Sequence, residues 1–259
     1  MSENQHREEI VDQFTRQAAQ FAQSATARNE DLLRTILRMA EPQQSETMLD
    51  VACGPGMLAC AFAPHVRHAT GIDLTPAMLE QARAAQQKQS LVNLSWDCGD
   101  VTALPYADGT FDIVTCRYAF HHFPDPLAVL NEMRRVCAPG GRVVVVDSAP
   151  SREKSAAFNA MEKLRDPSHT RALPPEELTT LYAEAGLPEP RMEHFRLALD
   201  LDSFLARSYP REDDEPRLKA LFESALKEDT LDLQPRQIDG QIHFFVPTAI
   251  LAARIPHAA

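Results

Sequence analysis

The stretch LDVACGPGMLA, residues 49–59, runs from an apolar segment into two glycines separated by one proline, then into residues that favour a helix. Glycine accepts positive φ and has no Cβ, so Gly54 and Gly56 let the chain turn sharply and let a ligand approach the backbone. Gly54, Gly56 and Ala59 satisfy the spacing GxGxx[G/A], and Asp73 closes the next apolar stretch, where a carboxylate accepts hydrogen bonds from ribose hydroxyls. By itself this pattern fits a nicotinamide-dependent dehydrogenase.

Outward from the turn the chain alternates. TMLDVA reads as a strand, residues 56–63 as a helix, RHATGID as a strand, residues 76–87 as a helix capped by Thr75, and LVNLSWDCG as a strand. A βαβαβ order implies a parallel sheet. FDIVTCR is the next strand, followed by a helix over 126–136 and the strand GRVVVVDS after the turn APGG; its four consecutive valines mark a strand buried on both faces. Helices are expected over 154–164 and 175–184, a strand within EPRMEHFRLALDL, helices over 202–208 and 215–227, and a last strand in QIHFFVPTAILAAR. Upstream, residues 8–20 and 26–40 read as two helices, the first with Ile10, Val11, Phe14 and Ala18 on one face.

Composition narrows the function classes. A chain of 259 residues with 44% hydrophobic content holds ample core. Its 26 Lys and Arg against 37 Asp and Glu leave a net charge of -11, which repels polyphosphate, so nucleic acid is not an expected partner. The start, MSENQHREEI, lacks a basic-then-apolar signal pattern, and no apolar run approaches a membrane span; a cytoplasmic protein without integral membrane association is expected. The five cysteines stand singly, with no CxxC pair, so no metal site is expected. Cys53, inside the glycine turn, is the one placed to face a ligand.

Further residues favour a different cofactor from nicotinamide. Asp50 precedes the glycines, Asp73 ends strand two, and CGDVTALPYADGTFDIVTCRYAFHHFPD places Asp100 after strand three; VLNEMRRVCAPGGRVVVVD follows. This succession resembles the class I S-adenosylmethionine-dependent methyltransferases, and most nearly the small-molecule enzymes related to the quinone and menaquinone C-methyltransferases. The resemblance covers residues 47–148 closely and the ends more loosely. It implies an α/β fold: a Rossmann-like, seven-stranded, mostly parallel sheet with helices on both faces and an antiparallel last strand. One domain over 1–259 is expected, with a helical N-terminal lid over 1–45, a cofactor-binding core over 46–150, and a substrate-side half over 151–259 carrying a late helical insertion at about 202–230.

The same resemblance assigns roles by position. Residues 52–56, with Ala52, Cys53, Gly54 and Gly56, cradle the methionine moiety of S-adenosylmethionine; Asp73 holds the ribose and Asp100 meets the adenine amino group. Leu74, Met78, Val101 and the aliphatic stem of Arg117 are expected to wall the adenosine, and Asp50 and Phe21 complete the cofactor set. Two residues depart from the family pattern: Ala52 stands where a third glycine is usual, and Phe21 where relatives often carry a lid tyrosine.

Chemistry is expected where strand four ends, in RYAFHHFPD, because ligands of open α/β sheets bind beyond the carboxyl ends of strands. Methyl transfer is a displacement at the sulfonium methyl, in which the protein mostly aligns the nucleophile and excludes water. A base is needed where the acceptor loses a proton, and His122, or else His121, suits that work near neutral pH. The competing reading has one histidine packed on the following helix and the other at a turn before Pro124. Tyr118, Arg165 and His169 are the candidate acceptor contacts; Arg165, Asp166, His169 and Arg171 form a polar cluster in LRDPSHTRAL that equally fits a solvated loop with a local ion pair. Phe14, Phe21, Phe204, Leu205 and Tyr209 either close over the ligands or pack helices on the sheet. The leading expectation is methyl transfer from S-adenosylmethionine to a carbon or oxygen of a small, apolar or aromatic acceptor. An NAD(P)-dependent dehydrogenase and a non-catalytic S-adenosylmethionine-binding partner subunit are the alternatives, and pairing into a homodimer stays open.

Overall fold

The computed structural model describes residues 3–23, 29–206, 208–210 and 213–257. Two helices, α1 (Glu3–Gln23) and α2 (Glu30–Ala40), precede the sheet, and Asn29 caps α2 by accepting a hydrogen bond from the Leu32 amide at 2.9 Å. Residues 26–28 of the expected second helix lie outside the described residues, as do Arg207 near the end of the expected 202–208 helix and residues 211–212 after it. The alternation then runs β1 (Thr47–Val51), α3 (Met57–Phe62), β2 (His68–Asp73), α4 (Pro76–Lys88), β3 (Leu94–Cys98), β4 (Phe111–Arg117), α5 (Pro126–Val136) and β5 (Cys137–Ser148). The second half adds α6 (Ser155–Arg165), α7 (Pro175–Glu184), β6 (Arg191–Asp200), α8 (Leu201–Ala206), α9 (Asp214–Ala225), β7 (Arg236–Ile238) and β8 (Gln241–Arg254).

The strands lie in the order β3-β2-β1-β4-β5-β8-β6. The first five are parallel, and β8 is antiparallel to both β5 and β6. Adding to the expected seven, β7 pairs with β8 in a hairpin whose turn residues, Asp239 and Gly240, have φ of 50° and 83°. Asp-Gly at a two-residue turn is the strongest short hairpin signal, so this strand was legible in the sequence.

The side chains of successive residues on each strand feed opposite layers. Val144 and Val146 join Met48, Phe62, Phe158 and Phe222 on one side, packing α2, α3, α6 and α9 against the sheet. Val143 and Val145 join Leu49, Leu130 and Tyr182 on the other, packing α5 and α7. All four valines are fully buried, each contributing about 1.5–3 kcal/mol. APGG, expected as a turn ahead of β5, is a bulge within it: Phe111 pairs with Cys137 and Ile113 with Arg142, so residues 138–141 loop out between. Among the described residues no helix is long and apolar enough to cross a membrane.

Candidate active site

The chain leaves β1 through three left-handed residues, Ala52 (φ 54°), Gly54 (φ 52°) and Gly56 (φ 76°). The two glycines serve different ends. A Cβ on Gly56 would lie 2.5 Å from Cη2 of Trp96 and 2.9 Å from Cβ of Ala82, so its missing side chain admits the β3 indole rather than a ligand. A Cβ on Gly54 would meet nothing within 4 Å, and Gly54 lines a cavity of about 460 Å³, within the range of small-molecule sites. Gly56 does not line it.

Two buried carboxylates hold this turn. Asp73, at the end of β2, accepts hydrogen bonds from the Gly54 amide through Oδ2 and the Thr75 amide through Oδ1, both at 2.8 Å. It thus ties the turn to the start of α4, while Thr75, expected as the cap, makes no side-chain capping bond. Asp50 accepts from the Ala59 amide at 3.2 Å and from the Thr115 hydroxyl at 3.0 Å, joining the turn to β4. Burial pushes the Asp50 carboxyl up to about 7, against the pull of these hydrogen bonds and of Arg117. Burial also raises the Asp73 carboxyl, opposed by its two amide donors. Cys53 lines the cavity, yet burial and the neighbouring carboxylates push its thiol well up, which keeps it a neutral apolar wall.

Beyond the turn the cavity passes Leu74, Met78 and Val101 and reaches Asp100. Oδ1 of Asp100 accepts from the Thr102 amide (2.9 Å) and hydroxyl (2.8 Å), and Oδ2 pairs with Arg7 of α1 at 2.8 Å. Arg7, unremarked in the sequence, fastens the N-terminal helix to this end. Phe14 and Phe21 of the same helix face the cavity, edge to face at 6.3 Å.

At the opposite end the strand β4 delivers Arg117 and Tyr118. Burial lowers the Arg117 guanidinium from its ordinary value. Tyr118 adopts φ 53°, an uncommon conformation for a bulky residue, and its hydroxyl bonds the Thr248 hydroxyl at 2.8 Å. A single 3-10 turn, Phe120–His122, follows. His121 Nδ1 meets Asp147 Oδ1 at 2.5 Å, and the His121 amide donates to Asp147 Oδ2 at 3.3 Å. Burial opposes the imidazolium, but the Asp147 charge and hydrogen bond outweigh it and raise the His121 pKa. His122 is placed differently: its Nδ1 faces the Ser168 carbonyl and hydroxyl, both at 3.2 Å, and the Phe14 ring stands edge-on at 5.0 Å. Burial, reinforced by His121 alongside, lowers its pKa. Both histidines line the cavity.

The loop cluster splits. Arg165 lines the cavity with its charge already matched: it bonds Glu162 Oε2 through Nε at 2.8 Å and Nη2 at 2.6 Å, lies 4.0 Å from Asp166, and stands 5.0 Å over the Phe204 ring. Asp166 in turn accepts from the Ser168 amide and hydroxyl. His169 is buried but not part of the lining; its Nε2 bonds Asn159 Oδ1 at 2.7 Å, and burial drives its pKa down. Arg171 pairs with Glu177 at the surface, as a solvated loop would. Asp147, Glu162, Leu197 and Val246 were not legible as neighbours of this site, because four later elements, β5, α6, β6 and β8, bring them there. Among the described residues no cluster of acids, histidines and cysteines could hold a metal.

Residues 49–145 match the Methyltransferase domain family. The uncharacterized methyltransferase YcgJ of Bacillus subtilis (strain 168) is 33% identical over 229 residues, spanning 87% of this chain and 90% of YcgJ. The chain belongs to the methyltransferase family. It superposes on the crystal structure of YcgJ with a TM-score of 0.81 at 27% identity, over 89% of this chain and 100% of that one. The ubiquinone/menaquinone biosynthesis C-methyltransferase UbiE of Roseobacter denitrificans is 38% identical over 109 residues, 41% of this chain and 44% of UbiE. A ubiquinone biosynthesis O-methyltransferase of Pseudomonas paraeruginosa is 32% identical over 176 residues, 61% of this chain and 75% of that enzyme.

The protein is therefore an S-adenosylmethionine-dependent methyltransferase on a Rossmann-like sheet, and neither the dehydrogenase nor the inactive-subunit reading is favoured. The cavity fits its cofactor: Gly54 leaves open the space a side chain would fill, a carboxylate stands ready for hydroxyls, and apolar walls flank it.

Proposed function

We propose that this methyltransferase acts on a carbon or oxygen of a small, neutral, apolar or aromatic acceptor, with His121 as the base. When bound, S-adenosylmethionine supplies an electrophilic methyl group on a sulfonium. Gly54 and Ala52 would hold its amino-acid end, Asp73 would accept from the ribose hydroxyls, and Asp100 would accept from the adenine amino group, with Leu74, Met78 and Val101 as apolar walls. Phe14 and Phe21 exclude water from above, which favours a displacement that aligned reactants undergo readily. The acceptor rests against Leu197, Phe204 and Val246, beside Tyr118. Asp147 holds the Nδ1–H of His121, leaving Nε2 to take the proton of an acceptor whose methylated atom carries one.

The observation that carries this reading is that His121, held by Asp147, lines the same cavity as Gly54, Asp73 and Asp100. His122, the first choice from sequence, is the weaker base because burial and the neighbouring His121 suppress its basicity, whereas Asp147 opposes burial on the ring of His121. Arg165 argues against an anionic acceptor, since Glu162 and Asp166 already neutralise it. A screen of phenolic and quinol acceptors tests the class. In that screen His121→Asn is expected to lose about 10²–10⁴-fold in kcat/KM, with calorimetric affinity for S-adenosylhomocysteine unchanged. Undiminished turnover in the variant removes His121 as the base.

A further inference from the structure

Glu162, in the last turn of α6, lines the cavity with a side chain only 8% exposed. Arg165 holds it through one oxygen: Nε and Nη2 both fall on Oε2, at 2.8 and 2.6 Å. Among the described residues no group donates to Oε1, and that oxygen is not sealed inside the protein. A carboxylate oxygen only accepts hydrogen bonds, and one withdrawn from bulk water without a protein donor gains most from a donor that a ligand brings. The charges alongside set the sign of that ligand. Asp147, Glu162 and Asp166 are buried carboxylates, whereas Arg165 is the guanidinium among them and the nearby Lys163 is turned to the carbonyls of Pro167 and His169. His121 is neutral when it acts as a base, so the carboxylates outnumber the cations and an anionic group is repelled here.

We propose that Glu162 is a specificity residue for the acceptor: Oε1 accepts a hydrogen bond from an O–H or N–H group that the acceptor carries apart from the methylated atom. The inference rests on the reading above, which sets the acceptor against Leu197, Phe204 and Val246 with His121 as the base. It deepens that reading, because the acceptor is then a small apolar frame bearing one polar donor, and capping that donor as an ether removes what Glu162 recognises. Arg165 acts as a positioning residue, since its hold on Oε2 fixes the direction in which Oε1 presents its lone pairs. The Phe204 ring, 5.0 Å from the guanidinium, steadies Arg165 in turn.

Turnover of matched acceptors tests this, with the three dihydroxybenzenes set against their monomethyl ethers, which keep one hydroxyl but lose the second donor. The wild type is expected to favour each dihydroxy compound over its ether by about 10- to 100-fold in kcat/KM. Glu162→Gln separates recognition from packing. Arg165 donates to the Oε2 position and so retains the amide oxygen there, which turns the amide NH2 toward the acceptor. The variant should therefore lose the preference or reverse it toward the ethers, with calorimetric affinity for S-adenosylhomocysteine unchanged. Aminophenols in the same series identify the donor as N–H or O–H by which is used better. Equal kcat/KM for both members of each pair in the wild type overturns the proposal without any variant, and so does a preference that Glu162→Gln leaves intact. A uniform loss on both members also overturns it, because a packing role alone predicts that. Failure of the acceptor reading itself would look different: the wild type would methylate neither member of any pair, and the inference would fall with it.

Discussion

At one end of the cavity Gly54, Asp73 and Asp100 stand where three parallel strands end in succession, and the groups they present are backbone amides and carboxylates pinned by those amides. At the other end His121, Asp147, Arg165, Phe204 and Val246 come from five separate places in the chain, and side chains hold one another: His121 by Asp147, Arg165 by Glu162 and Asp166. The first end is geometry written into local turns, whereas the second exists only once the later half of the chain has folded over the sheet. Changes at the first should act on stability and cofactor affinity, and changes at the second on rate and its pH dependence.

The sharpest way to break this division lies within the glycine turn. Gly56→Ala places a methyl 2.5 Å from the Trp96 ring at a positive φ and should destabilise the protein by about 2–4 kcal/mol in urea unfolding. Gly54→Ala meets nothing and should cost about 1–2 kcal/mol for its backbone conformation alone, while weakening cofactor binding. Equal destabilisation by both would erase the distinction between a packing glycine and a ligand-facing one. Next in size, Asp73→Ala should weaken S-adenosylhomocysteine about 10- to 100-fold by calorimetry, through lost ribose contacts and a loosened Gly54 amide, with little change in kcat at saturating cofactor.

The smallest effect sharpens the acceptor end. His121 works as a base only when neutral, so kcat/KM should rise with pH through its raised pKa. Asp147→Asn removes the charge that raises it and should move this acid limb down by about one pH unit. The sign in stability is the reverse: a raised histidine pKa stabilises the fold below the ordinary histidine value, and the contribution is lost as pH rises through the folded value. The stability gap between wild type and Asp147→Asn should therefore be wider near pH 5.5 than near pH 8.5, by about 1 kcal/mol in denaturant titrations. A gap that widens toward alkaline pH would contradict the ion pair.

Legibility follows the same division. The turn, the alternation and the strand-end acids could be read because each is set by residues within a few positions of one another. Even there, Gly54 and Gly56 were indistinguishable as letters, since only the position of Trp96 separates their tasks. His121 and His122 are adjacent in sequence and opposite in chemistry, because Asp147 approaches one and Ser168 the other. Arg165 reads in the sequence as a candidate acceptor contact, but Glu162, one helical turn earlier, holds its guanidinium. An i,i+3 pair of that kind was available to sequence reasoning, unlike the contact of Asp166 with Ser168 or of Arg7 with Asp100.

By itself, the sequence determined the succession of secondary elements along the chain, the buried central strand and the glycine turn with its carboxylates, since periodicity, β-branching and backbone freedom act over short range. Only the tertiary structure decided which glycine lines the cavity, which histidine is the more basic and whether Arg165 carries a usable charge. Those properties depend on burial and on the charges within a few ångströms, and both are fixed by residues tens to hundreds of positions away.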